Sequence, residues 1–233
     1  MAHQSDINEK MRAILIDWLE EVHVKFKLMP ETMFLTQNLI DRFLEKKIVV
    51  RSKLQLVGVT AMLIASKYEE IYAPEVRDFV YITDKAYSRE QILAMEATML
   101  NTLDFRVSSP TVYVFLNRYL KVAQADTRLT QLATFIVERQ LQEYKMLQHV
   151  PSKIAAAAVN IALRTLRGRN AWADGGGAMD FYSGYTQNDL RATIVDVQDV
   201  MAASVSSSLQ AVRKKHASPK FGEVTNITLA LLD

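Results

Sequence analysis

Cysteine is absent from this 233-residue sequence, which removes thiol nucleophiles, zinc fingers of the usual kind and any disulfide framework, and fits a reducing intracellular compartment. Glycine (7 residues) and proline (5 residues) are scarce. With little turn punctuation and abundant Leu, Ala, Met and Gln, the composition predicts an all-α chain. Neither sign of charge dominates: 28 basic and 26 acidic residues leave a formal +2, too balanced to advertise nucleic acid or an anionic membrane as partner. Protein partners are the default that remains. No uninterrupted apolar run reaches the ~18 residues of a membrane span, and no signal peptide is present, which predicts a soluble protein. Chemistry is equally sparse. The four histidines are scattered, Glu69-Glu70 has no histidine at helical spacing, and Gly175-Gly-Gly177 lacks the lysine of a phosphate-binding loop. These absences predict no enzyme activity, no cofactor and no metal site. A chain of this length buries roughly 70–75% of its unfolded surface, so the fold needs no covalent or metal staple.

What is present is helical periodicity. Residues 52–70 are apolar nearly all the way round, with the small residues Gly58, Ala61 and Ala65 among them. Such a helix is buried on every side, and its small residues let neighbours approach, so it is expected to be the central rod of a bundle. Ile71-Tyr72-Ala73-Pro74 stops it. Before it, Met11, Ile14, Leu15, Trp18, Leu19 and Val22 form one apolar stripe of a first helix. A second helix opens at Pro30-Glu31 and turns Leu35, Leu39, Ile40, Phe43 and Leu44 inward. After it, Val76, Phe79 and Val80 mark a short fourth helix. Ser88-Arg89-Glu90-Gln91 is a capping box that starts a fifth, running through Leu103.

Residues 105–110 read as an inter-domain link, with Ser109-Pro110 expected to cap the next helix. The plan then repeats. Residues 127–147 form an amphipathic helix, and Pro151-Ser152 opens a second small-residue rod over 153–163, about a hundred residues after the first. That spacing suggests duplication of a five-helix unit. Residues 168–184 are a loop, helical at most around Met179 to Tyr182. Thr186-Gln-Asn-Asp189 caps a last helix ending in Arg213-Lys-Lys-His216 at the negative pole of its dipole. In the tail, Phe221 and residues 229–232 are expected to pack back on the body.

Certain motifs are more specific than periodicity requires. Met11-Arg-Ala-Ile-Leu-Ile-Asp-Trp18, Lys53-Leu-Gln-Leu-Val-Gly58, Ala65-Ser-Lys-Tyr-Glu-Glu-Ile-Tyr72 and Tyr81-Ile-Thr-Asp84 resemble the cyclins, specifically mitotic cyclins of the A or B type. The likeness is close over residues 11–110 and looser beyond, where it rests on Pro151-Ser152 with its alanine run, Tyr185-Thr186, Val212-Arg-Lys-Lys-His216 and Lys220-Phe221. It implies an all-α fold of two tandem five-helix cyclin boxes, at 11–106 and 107–216, with a tail over 217–233. It also implies a non-enzymatic subunit of the nucleus and cytoplasm. Such a subunit docks on a cyclin-dependent protein kinase and holds the kinase's regulatory helix inward, so that the kinase's own lysine–glutamate pair forms and its activation segment moves aside.

Residue by residue, the resemblance puts the kinase contact on Lys67, Tyr68, Glu69, Ile71, Tyr72, Glu96, Leu100 and Phe105. Lys67 and Glu96 match the pair that grips the partner helix. Surface charges are more often merely solvated; the motif around these two is what singles them out. Met11, Ile14, Leu15, Trp18, Glu21, Gln55 and Asp84 match a patch that takes short Arg-x-Leu motifs of substrates or inhibitors. In that match Leu15 and Trp18 seat the leucine, and Glu21 and Asp84 attract the arginine. An apolar stripe at this spacing is usually core, so the patch rests on the match alone. Arg12 and Asp41 match a pair tying the first helix to the second.

Two departures stand out. Ala73-Pro74 replaces the usual two prolines. Only ten residues precede the first box and carry neither the extra N-terminal helix nor the destruction motif, so the sequence is expected to be a trimmed piece. The alternative reading is a cyclin-box scaffold of the transcription-factor type without kinase activation. That role calls for a basic face, which the charge balance does not supply.

Overall fold

The computed structural model describes residues 1, 3–174 and 176–231; the expectations for Gly175 and Leu232 lie outside them. Among the described residues there is no strand, and the chain divides into two compact units, Met1–Ser109 and Pro110–Asp233.

The first unit is built on α3 (Leu54–Glu69), entered through a 3-10 turn at Arg51–Lys53. Every residue from 56 to 66 is buried, as the lack of a polar face requires. Around it pack α1 (Glu9–Phe26), α2 (Pro30–Lys46), α4 (Val76–Ile82) and α5 (Arg89–Thr102). Gly58 is needed by one of these contacts: a Cβ there would lie 2.7 Å from Leu15 Cδ1 and 3.2 Å from Leu19 Cδ1, so α1 approaches α3 closely only across a glycine.

The ends of these helices follow their capping chemistry. The Asn8 side chain accepts from the Met11 amide to start α1, Pro30 occupies the first turn of α2, and both halves of the Ser88/Gln91 capping box are made. Arg12 is fully buried and forms a two-pronged pair with Asp41, Nε to Oδ1 at 2.6 Å and Nη2 to Oδ2 at 2.7 Å, which ties α1 to α2. Ahead of α1, Gln4 donates to the Leu44 and Lys47 carbonyls and accepts from the Val49 amide. Asp6 accepts from the Arg51 amide, so the first residues strap the α2–α3 connection.

The second unit is organised around α8 (Pro151–Arg167), buried from Ile154 through Leu163, with α6 (Val112–Val122), α7 (Thr127–Gln140) and α10 (Gln187–Ala203) against it. The short helix α9 (Ala178–Ser183) lies on α6, and α11 (Ala211–His216) lies on α7. The tail does pack back in part: Phe221 sits 5.4 Å from the His216 ring, the Ala230 amide donates to Thr165 Oγ1, and Gln198 donates to the Ala230 carbonyl.

Three helix boundaries differ from the sequence expectation. The helix expected from Ser109-Pro110 begins at Val112 with Thr111 as its N-cap, because a residue before proline is pushed to extended backbone and Pro110 itself stands outside the first turn. The single helix expected over 127–147 stops at Gln140 and continues as a 3-10 turn, Tyr144–Gln148. The amides of Leu141, Glu143, Met146 and His149 each bond three residues back, and over so short a stretch a 3.0-residue period leaves the same apolar pattern as a 3.6-residue one. The last helix, expected from Thr186 to His216, breaks between Ala203 and Ala211. The serines of residues 204–208 compete for the backbone there: Ser204 Oγ bonds the Met201 carbonyl, Ser207 Oγ accepts from the Leu209 amide, and Gln210 donates to the Ser204 and Ser207 carbonyls.

Candidate functional site

The outer end of α3 emerges from the first unit beside α5. Lys67 Nζ donates to both carboxylate oxygens of Glu96, at 2.7 and 2.9 Å; the ammonium is half exposed and the carboxylate mostly covered. The pair therefore joins the last turn of α3 to the middle of α5 and leaves part of its donor capacity facing out. Around it stand side chains that water does not favour. Tyr68 is exposed, Ile71 is 87% and Tyr72 93% exposed in the segment after α3, and Phe105 is 66% exposed just after α5. Leu100, one turn along α5 from Glu96, is half-buried. A group of exposed large apolar residues beside a charge pair is the composition of an interaction surface.

The acidic side of this region is more constrained than sequence reasoning foresaw. Glu70 accepts from the Met29 amide at 2.7 Å and from Thr32 Oγ1, capping the start of α2. Burial, with Glu31 and Glu70 close by, pushes the Glu69 carboxyl above the usual carboxylate range. Glu69 is half-buried rather than solvated. The end of α5 and the turn after it are gripped from α2: Lys46 Nζ donates to the Thr102 carbonyl at 3.3 Å and Arg42 Nη2 to that of Arg106 at 2.7 Å. Neither Arg42 nor Lys46 was legible as a site residue.

A second feature lies at the other end of α3. Met11, Ile14, Leu15 and Trp18 of α1 line a groove of about 280 Å³ with Arg51, Leu54 and Gln55. Five of the seven patch residues expected from sequence are thus brought together. Ile14 is exposed, Met11, Trp18 and Gln55 are half-buried, and Leu15, pressed onto Gly58, is the floor rather than an exposed contact. Glu21 and Asp84 are exposed but do not line the groove; Asp84 sits in left-handed backbone (φ 51°) after α4. Arg51 and Leu54 were missed. Neither carried a spacing signal, since Leu54 is adjacent to Gln55 and residues one apart do not share a helix face, while Arg51 lies in the 3-10 turn ahead of α3.

In the second unit, Glu138, Lys215 and His216 form a buried cluster: Lys215 Nζ lies 2.8 Å and His216 Nε2 2.7 Å from Glu138 Oε2. Burial pushes the Glu138 carboxyl up, but the Lys215 ammonium and the His216 bond outweigh it and hold it at about 2. Near the start of α8, Asp196 accepts from Lys145, His149 Nε2 (2.7 Å) and Gln148. Burial raises the Asp196 carboxyl, and the Lys145 and His149 hydrogen bonds more than reverse that, leaving it below its ordinary value. Both clusters join elements within the unit. Among the described residues no group of acidic, histidine or cysteine side chains has the arrangement of a metal site, and no helix is long and apolar enough to cross a membrane.

Comparison with known proteins agrees with this architecture. Residues 1–108 match the family described as cyclin, N-terminal domain, and residues 110–230 that described as cyclin, C-terminal domain. Cyclin-B2-1 of Oryza sativa subsp. japonica is 51% identical over 95% of this chain and 52% of its own length, and Cyclin-B2-1 of Arabidopsis thaliana is 48% identical over 99% and 53%. G2/mitotic-specific cyclin-2 of Medicago sativa is 49% identical over 95% of this chain and 66% of its own. The chain thus spans about half the length of the first of these relatives. Among solved structures, a viral cyclin from herpesvirus saimiri superposes with a TM-score of 0.72 at 19% identity, covering 84% of this chain and 88% of that one. With both domains matched in order and plant B-type cyclins about half identical over nearly all of its length, the chain belongs to the cyclin family.

Proposed function

We propose that this chain is a regulatory subunit, itself without enzyme activity, that binds and activates a cyclin-dependent protein kinase in mitotic control. The observation that carries the reading is the surface formed by the Lys67–Glu96 pair with exposed Tyr68, Ile71, Tyr72 and Phe105. A partner helix laid there exchanges water-exposed apolar area for contact. The cation and anion orient it end to end, and Glu69, whose burial already disfavours its charge, gains from any cation brought close. The mitotic description of the relatives supports the same reading. The kinase's regulatory helix is the occupant whose capture explains activation, because fixing it inward completes the kinase's lysine–glutamate pair.

The groove of Met11, Ile14, Leu15, Trp18 and Gln55 is proposed to dock Arg-x-Leu motifs of substrates or inhibitors. The leucine enters over Leu15 beside Trp18, and Glu21 and Asp84 supply the negative field for the arginine from outside the groove.

The test is reconstitution: the purified chain mixed with a monomeric plant cyclin-dependent kinase is expected to co-elute with it and to switch on histone phosphorylation. A folded chain that neither co-elutes nor activates refutes the proposal.

A further inference from the structure

The turn that presents Phe105 is held from outside. Asp104 (φ 52°) and Phe105 (φ 56°) both adopt left-handed backbone. A short polar residue enters that region readily, but a bulky aromatic does not, since its Cβ crowds the following carbonyl. Nothing in the core repays Phe105 for this, because its ring is largely in water. Inside the turn, the Phe105 amide bonds the Leu100 carbonyl at 2.9 Å, the Arg106 amide that of Leu103 at 2.9 Å, and the Val107 amide that of Phe105 at 3.0 Å. Those bonds describe a closed turn but do not anchor its outer rim.

The anchor comes from α2. Arg42 Nη2 donates to the Arg106 carbonyl at 2.7 Å, while its Nη1 rests on Asn38 Oδ1 at 3.3 Å. Lys46, one turn further along the same face, donates to the Thr102 carbonyl and lies 3.7 Å from the Asp104 carboxylate. Lys46 thus meets the negative end of α5 and Arg42, four residues before it on α2, the turn just beyond, and Leu39, Ile40, Phe43 and Leu44 sink the opposite face of α2 in the core. The grip is therefore mounted on a part of the bundle that does not move easily.

We infer that Arg42 is a positioning residue of the kinase seat: by holding the Arg106 carbonyl it keeps Phe105 in its strained backbone and sets the direction in which the ring leaves the bundle, with Lys46 steadying the turn behind it. The inference rests on the proposed kinase interface, in which Phe105 is a contact and Arg42 is not. A hydrogen bond at an exposed rim adds little to global stability, whereas misdirecting an anchoring aromatic costs affinity.

A double-mutant cycle on the full chain separates these roles, with dissociation constants for a purified plant cyclin-dependent kinase and thermal midpoints measured in parallel. Arg42→Ala is expected to weaken binding about five- to tenfold with its midpoint near wild type, and Arg42→Lys to recover part of the loss, since a carbonyl accepts from an ammonium as well. In a Phe105→Ala background, Arg42→Ala is expected to add less than about twofold, because no ring remains to be aimed. Amide exchange at residues 104–107 of the free chain is expected to quicken in Arg42→Ala while the exchange of α3 is unchanged. If Arg42→Ala does not fold, Arg42→Lys and Lys46→Ala carry the same comparison. Independent, multiplying effects of Arg42 and Phe105, or an affinity unmoved by Arg42→Ala, overturn the inference while leaving the interface standing. Wild-type affinity in Phe105→Ala, or no kinase binding by the wild-type chain, removes the interface and the inference with it.

Discussion

Lys67 and Glu96 stand 29 residues apart in sequence and meet at 2.7 Å. With the ammonium half exposed, the pair itself stabilises the fold little; its value lies in what a desolvating partner makes of it. Reversing Lys67 to Glu is expected to weaken kinase binding by about 2–5 kcal/mol in titration calorimetry, because the reversed charge is then buried against the partner. The exchange Lys67→Glu with Glu96→Lys restores the internal pair and is expected to remain weak; recovery of full affinity would mean that the pair serves only to join α3 to α5. Trp18 calls for a different readout. Trp18→Ala is expected to raise KM for Arg-x-Leu substrates about tenfold or more while leaving kinase affinity intact, and equal loss of both would return Trp18 to the core. Lys67, Glu96 and Trp18 were singled out in the sequence by the resemblance of the motifs around them, and the structure brings the first two together. Arg42 was not singled out, because its acceptor is a backbone carbonyl, and every residue carries one.

At the scale of the element, the helices owe their positions to a few tethers laid over a general apolar fit. The Arg12–Asp41 pair is the clearest case: Arg12 is fully buried, and Asp41 also accepts from Gln37. Removing one partner strands a buried charge, so Asp41→Ala is expected to cost about 3–5 kcal/mol in denaturant unfolding, whereas Arg12→Met with Asp41→Leu recovers most of that loss. Equal destabilisation by the single and double variants would show that the pair contributes more than mutual neutralisation. Where α2 begins, and the extent of α3 and α5 to within a turn, was readable, since proline, a capping box and the change from apolar to polar positions act within one turn. The breaks after Gln140 and Ala203 were not. Each depends on side-chain bonds to the backbone, such as Gln210 to the Ser204 and Ser207 carbonyls, that compete with a helix of equal periodicity.

At the scale of the whole molecule, the two units are expected to respond differently to acid. Glu138, held at about 2 between Lys215 and His216, has a folded pKa below the ordinary glutamate value of about 4.3. Its contribution is present in full above that ordinary value and is lost as pH falls from there towards the folded value. Each unit contains one tryptophan, Trp18 and the buried Trp172, whose indole donates to Asp180 Oδ1. In thermal scans of Trp18→Phe and Trp172→Phe variants, acidification from pH 6 to pH 3 is expected to lower the transition reported by Trp172 more than that reported by Trp18. Glu138→Gln is expected to flatten the difference while lowering the second unit's stability at pH 7. Parallel shifts in both reporters would place the acid sensitivity elsewhere.

The sequence by itself determined the helical class, the two rods, read at 52–70 and 153–163, around which each unit packs, and the family to which their flanking motifs belong. Each of these is a local or repeated property of side-chain type and spacing, and burial of an all-apolar helix follows whatever surrounds it. Only the tertiary structure decided which charged groups share a site: that Glu138 meets Lys215 and His216 across some 78 residues, that Arg51 joins the groove while Glu21 and Asp84 stay outside its lining, and that Arg42 holds the turn before the link. A charge acts through a few ångströms of space, and the chain's own order along its length carries no record of which distant turn will fall within that reach.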